Sequence, residues 1–175
     1  VVCNAKKTIT MKNRIIILIS ILTMISGICL AQQTNDKIKY IAFKFEHSRR
    51  IPNHNIIIEV IKRQSEIVVK VKSNPMNSNT QWEKTKVDTT FSIDSKKFIE
   101  LANDMSILNK IDLNKALTGG LDGTECYIEF GQYGSTVAYK FWSPDCDTKQ
   151  RGLSDFLNLC EKLIKVGGLK PEDIL

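Results

Sequence analysis

Thr124-Glu125-Cys126-Tyr127-Ile128-Glu129-Phe130-Gly131-Gln132-Tyr133-Gly134-Ser135-Thr136-Val137-Ala138-Tyr139-Lys140-Phe141-Trp142 reads as a β-hairpin. Apolar residues alternate through both arms with the period of a half-buried strand. Antiparallel pairing that sets Cys126, Ile128 and Phe130 opposite Phe141, Tyr139 and Val137 puts all six on one face. It leaves Tyr133-Gly134 as a two-residue loop, with glycine where the turn needs a positive φ. A slip of one residue would carry Glu129 and Lys140 into the core. In the expected register they lie on the outer face as diagonal neighbours, with Tyr127 and Trp142 beside them.

Upstream, the same period recurs. Lys37–Glu46 places Ile41, Phe43 and Phe45 on one face and Ala42, Lys44 and Glu46 on the other. Asn55–Lys62 and Glu66–Lys72 are β-branched arms of a second hairpin joined by Arg63-Gln64-Ser65. Ile56, Ile57, Ile58, Val60 and Ile61 are apolar on both faces, as suits a central strand. In the next arm Ile67, Val69 and Val71 face in. Ser73–Gln81 is loop by composition. Lys86–Ile93 then carries Val87, Thr89, Phe91 and Ile93 on one face, a fourth strand.

Helical periodicity appears twice. After Asp94 or Ser95 as cap, Phe98, Leu101, Ala102 and Met105 recur at i, i+3, i+4 and i+7. Near the end, Leu153, Phe156, Leu157, Cys160, Leu163 and Ile164 form one stripe, Lys162 and Lys165 suit the helix dipole, and Gly167-Gly168 stops the helix. Between them, Ile107, Leu108, Ile111, Leu113, Ala116 and Leu117 are apolar but irregular, predicting a short helical turn in a long connection closed by Gly119-Gly120. Gly119, Gly120 and Gly123 read as a turn before a strand. The expected class is α+β: an antiparallel sheet of about six strands, order ββββ-α-ββ-α, with two helices packed on one face.

The N-terminal part is an address. Met11-Lys12-Asn13-Arg14 is followed by 17 uncharged residues, Ile15 to Ala31, with small Cys29 and Ala31 at the positions a signal peptidase reads. Residues 11–31 are expected to be a signal peptide, residues 1–10 to lie upstream of the true start at Met11, and residues 32–175 to form a single domain. An uncleaved anchor is the rival reading, since the run is at the short limit of a spanning helix. Lipidation at Cys29 wants a small residue before it, and Ile28 stands there.

Charge changes once that segment is set aside. The chain of 175 residues has net charge +6, which hints at an acidic partner such as nucleic acid. Residues 1–31 hold four of its 25 basic residues and no acid, leaving 21 basic and 19 acidic, a net of +2. That weak and interspersed charge argues against nucleic acid. The 9 Gly and 4 Pro in a chain that is 42% apolar exclude collagenous and low-complexity classes.

No catalytic constellation is present. Gly-x-Ser-x-Gly, His-Glu-x-x-His and a phosphate loop are all missing. His47 and His54 flank a polar loop, and their spacing forces no convergence, so no metal and no cofactor are expected. Cys146, between Asp145 and Asp147, is a poor nucleophile because adjacent carboxylates disfavour its thiolate. The expected use of cysteine is structural. Cys126–Cys160 would staple strand to helix, and Cys146–Cys160 would close a loop worth roughly 3 kcal/mol. Buried free thiols are the third possibility.

Trp142, Tyr127, Tyr133 and Trp82 are the candidate binding residues, since the inward face does not need them and Tyr and Trp anchor interfaces. Leu121-Asp122-Gly123-Thr124-Glu125-Cys126-Tyr127-Ile128-Glu129, Phe141-Trp142-Ser143-Pro144 and the closing helix loosely resemble small secreted α+β proteins of the Bacteroidetes type. The resemblance implies an envelope origin and no catalytic residue. The expected function is an exported, non-enzymatic binding module of inhibitor or immunity type, periplasmic or secreted. Its partner would be another protein, with no nucleic acid and no membrane after signal cleavage. The alternatives are a hydrolase using Asp122, Glu125, Asp145 and Asp147, and a structural protein anchored through residues 15–31.

Overall fold

The computed structural model describes residues 37–48, 54–74 and 86–175. Trp82, Cys29 and the signal segment lie outside the described residues. Lys37–Leu175 forms one compact unit. Its strands are β1 (Tyr40–His47), β2 (Asn55–Lys62), β3 (Ile67–Asn74), β4 (Val87–Ile93), β5 (Thr124–Gln132) and β6 (Ser135–Trp142). They pair antiparallel in the spatial order β4-β3-β2-β1-β5-β6. The β5–β6 register is the expected one, with Cys126, Ile128 and Phe130 opposite Phe141, Tyr139 and Val137. Gly134 turns the hairpin at φ +82°.

β2 is interior, as its two apolar faces require. The β1–β5 pairing joins residues far apart in sequence, with Phe45 opposite Cys126, Phe43 opposite Ile128 and Ile41 opposite Phe130. One apolar face thus runs unbroken from β3 to β6.

Helices α1 (Ser95–Asp104), α2 (Leu113–Ala116) and α3 (Ser154–Val166) send their buried side chains onto that face. Asp94 caps α1, its carboxylate accepting the Lys97 N–H at 2.9 Å. The buried positions of α1 and the following 3-10 turn (Met105–Lys110) are Phe98, Leu101, Ala102, Met105 and Leu108. Phe156 of α3 meets Phe141 edge-on, centroids 4.8 Å apart, a favoured aromatic geometry. Gly167 closes α3 over Ile58, where a Cβ would stand 2.7 Å from Cδ1.

Several expectations need correction. Of the apolar residues in the long connection, Leu108 and Ala116 are buried, but Leu113 and Leu117 are exposed, because α2 is one short turn with a single inward position. In α3, Leu159 is buried and Leu157 is only half-buried, since the inward stripe is turned toward Leu159. Neither expected disulfide is formed: Cys126, Cys146 and Cys160 are free thiols. Cys146 lies exposed on its loop, whereas Cys160 faces the sheet. Burial, and then a hydrogen bond with the Cys126 thiol, push the Cys160 thiol above its ordinary pKa. The two histidines do converge. β1 and β2 pair with Glu46 opposite Asn55, and the His47 N–H donates to the His54 carbonyl at 2.9 Å. The His54 ring contacts the His47 carbonyl in return through Nδ1. Spacing alone hid this, because the hairpin register comes from the strands on either side.

Candidate functional site

The face of the sheet opposite the helices carries the polar members of each alternation. Lys44 on β1 lies beside Tyr127 on β5, and Tyr127 beside Lys140 on β6. The Lys44 ammonium stands 4.7 Å from the centroid of the Tyr127 ring and 3.5 Å from Glu129 Oε2. Such a cation over a tyrosine ring is attracted by the ring quadrupole. The Tyr127 hydroxyl donates to Glu129 Oε2 at 3.1 Å, and the Thr136 hydroxyl to Glu129 Oε1 at 2.7 Å. These donors, the Thr136 hydroxyl foremost, hold the Glu129 carboxyl below its ordinary pKa. Burial, followed by the bond to Glu129, raises the Tyr127 hydroxyl.

Glu129 and Lys140 are diagonal across the hairpin, and each takes a different partner. Lys140 pairs with Glu125 at 2.8 Å and Glu129 with Lys44. A groove of about 350 Å³ opens here, lined by Lys44, Glu46, Asn55, Ile57, Glu125, Tyr127 and Lys140. A smaller hollow of about 190 Å³ adjoins it through Glu46 and Glu125 and reaches Leu121 and Trp142. Its two lysines and two glutamates leave the groove nearly neutral. At the top of β1, the Tyr40 hydroxyl donates to Glu59 Oε1 at 3.0 Å. Burial first, then that carboxylate, push the Tyr40 pKa well above its ordinary range. Farther across the same face, Ala42, Ile61 and Val68 are buried.

The candidate aromatics fall in three places. Tyr127 lines the groove. Tyr133 is exposed at the β5–β6 turn, its ring 6.4 Å from that of Tyr40. Trp142 is half-buried against the loop before β5. A Cβ on Gly120 would stand 2.2 Å from Trp142 Cζ2, and one on Gly123 2.7 Å from Cε2. The indole therefore lies on bare glycine backbone, so two of the turn glycines serve packing. Trp82 is outside the described residues. Of the proposed acids, Asp122, Asp145 and Asp147 are exposed on loops and Glu125 lies in the groove. Glu125 is directly opposite Glu46, a pairing of like charges that costs stability. Among the described residues, no group of three or more His, Cys, Asp or Glu is arranged to hold a metal ion.

Sequence reasoning missed Lys44, Glu46 and Arg151. The first two face Tyr127 and Glu125 only through the β1–β5 pairing. Arg151 is buried, 8% exposed, and spends all five guanidinium N–H groups on backbone carbonyls. Nε and Nη2 reach Ala116, Nη1 reaches Ser143 and Cys146, and Nη2 also reaches Trp142. Ser143 and Asp147 adopt left-handed backbone, φ 38° and 52°, in the loop wrapped around it. Arg151 thereby fixes the end of β6 and, through it, the Trp142 backbone. Its signal in the sequence is slight: a cation just ahead of a helix N-terminus, where the dipole disfavours it.

The chain matches no protein-family model and no curated protein. No helix among the described residues is long and apolar enough to cross a membrane.

Proposed function

We propose that this chain is an exported, non-enzymatic binding module of the bacterial envelope, periplasmic or secreted, of inhibitor or immunity type. Its recognition surface is the β1–β5–β6 part of the outer sheet face. The observation that carries this reading is the Tyr127 groove. An aromatic ring is locked there by Lys44 and Glu129, and charges of both signs surround it in matched pairs. A ring held in place before binding loses little conformational freedom on association. The near-neutral groove favours a partner recognised by shape and hydrogen bonding rather than by long-range field. The nearly neutral charge of residues 32–175 supports a protein partner over nucleic acid. The basic n-region, apolar stretch and small residues before Gln32 support export.

Two measurements test the proposal. N-terminal sequencing of the chain recovered from a bacterial envelope should begin at Gln32; a retained residue 15–31 segment would favour the anchored alternative. In affinity capture from envelope extract, wild type and Ile99→Ala, altered on the exposed side of α1, should retain the same protein partner. Tyr127→Ala should lose it. Equal capture by all three removes the groove from the interface.

A further inference from the structure

We propose that β4 is a homodimer interface, in which the strands of two copies pair antiparallel about a twofold axis at Thr90 and join their sheets. This inference does not depend on the outer-face groove. Among the described residues β4 lies at the margin of the sheet and pairs with β3 on one side. Its residues from Asp88 to Ser92 are exposed, and Phe91 is 38% exposed on the face that the helices cover elsewhere. Natural edge strands are protected by lysine, proline, bulges or inward charge. β4 has no proline and no bulge, its charges are confined to Asp88 and the flanking Lys86 and Asp94, and Thr89-Thr90-Phe91-Ser92-Ile93 is uncharged and rich in strand-forming residues.

The strand is complementary to itself in one register. With Thr90 opposite Thr90 of the second copy, Val87 meets Ile93 and Thr89 meets Phe91, so the apolar face continues across the junction. At both ends Lys86 meets Asp94, giving two opposite-charge pairs by symmetry. Moving the axis to Phe91 sets Asp88 against Asp94, which is repulsive. Moving it to Thr89 sets Lys86 against Ser92 and forfeits both ion pairs. Lys86 and Asp94 are exposed; the Asp94 carboxylate also caps α1 and lies 4.0 Å from the Lys97 ammonium, so the Lys86 pair would be shared with that contact.

Sedimentation of the full chain should reveal a concentration-dependent dimer. Lys86→Asp and Asp94→Lys each turn two attractions into two repulsions, and each should weaken the dimer about tenfold. An equimolar mixture of the two variants restores both attractions in the heterodimer and should return association to the wild-type range. That recovery separates the interface from any folding defect caused by losing the Asp94 cap. In a chain with Cys3, Cys29 and Cys146 changed to Ser, Thr90→Cys should cross-link under mild oxidation. Ser92→Cys should not, because the two copies of position 92 lie about 13 Å apart along the strands. A monomer at all concentrations, a mixture no tighter than its components, or equal cross-linking at both positions overturns the proposal.

Discussion

Arg151 donates twice to the carbonyl oxygen of Ala116, from Nε at 3.1 Å and from Nη2 at 2.9 Å. Its three other N–H groups go to Ser143, Cys146 and Trp142. One buried cation therefore ties α2, the end of β6 and the loop before α3. Arg151→Met leaves four carbonyls without these donors, those of Ala116 and Ser143 in buried contacts, and should destabilise the domain by about 3 kcal/mol. Arg151→Lys keeps the charge but not the planar fork, and should still cost about 2 kcal/mol. Urea unfolding of both variants checks this; midpoints equal to wild type would show that the hub is not structural.

Trp142 packs on Gly120 and Gly123 at distances that exclude a methyl group. Gly120→Ala should displace the indole and cost about 1–3 kcal/mol, the range for overpacking. In a Trp82→Phe background, the emission of Trp142 should shift to the red as the ring gains solvent. Unchanged emission and stability would mean that the loop moves away freely.

Glu46 and Glu125 face each other directly across β1 and β5. Glu46→Gln removes the like-charge opposition and should stabilise the domain by about 0.5 kcal/mol. The gain should shrink in high salt, since the charges are near solvent. Thermal unfolding at two ionic strengths reads both effects.

Glu129 and Tyr40 set opposite ends of the pH profile. The Glu129 carboxyl is held below its ordinary value of 4.5 by the Thr136 hydroxyl first, with Tyr127 and Lys44 adding to it. A depressed folded pKa contributes stability above the unfolded value, and this is lost as pH falls through the folded one. Glu129→Gln should therefore flatten the acid limb below pH 4.5. The Tyr40 hydroxyl is raised from 10.0, chiefly by burial. Its contribution is whole below pH 10.0 and is lost above it, so Tyr40→Phe should flatten the alkaline limb. Denaturant midpoints measured across pH test both signs.

The thiols should differ sharply in reactivity. Cys146 is exposed, whereas Cys126 and Cys160 are buried and burial disfavours the Cys160 thiolate. Brief alkylation of the native protein should label the Cys146 peptide and spare the other two until denaturant is added. Rapid labelling of Cys160 in the native state would contradict its burial.

Much of the fold was legible because its causes are local. Alternation assigned the inward face of every strand but β2, which is apolar on both faces, and Tyr133-Gly134 specified the β5–β6 register through a two-residue turn. Asp94-Ser95 marked the start of α1, and the structure makes Asp94 the cap. Of the site, Tyr127 was readable as an outward aromatic. The readings that failed depended on neighbours supplied by other segments. Leu113 and Leu117 are apolar yet exposed because α2 is too short to turn them inward. Cys126 and Cys160 were correctly placed on facing surfaces but meet there as thiols.

What the sequence alone determined, then, was which residues form strands and helices and which face of each is apolar, since side-chain period and turn chemistry act over a few residues. Tertiary structure decided that β1 lies between β2 and β5. That pairing turned Lys44 toward Tyr127 and set Glu46 against Glu125. It also decided that Arg151 would collect carbonyls from Ala116, Trp142, Ser143 and Cys146. Such contacts depend on where separate segments meet, and no local preference of the chain encodes that meeting.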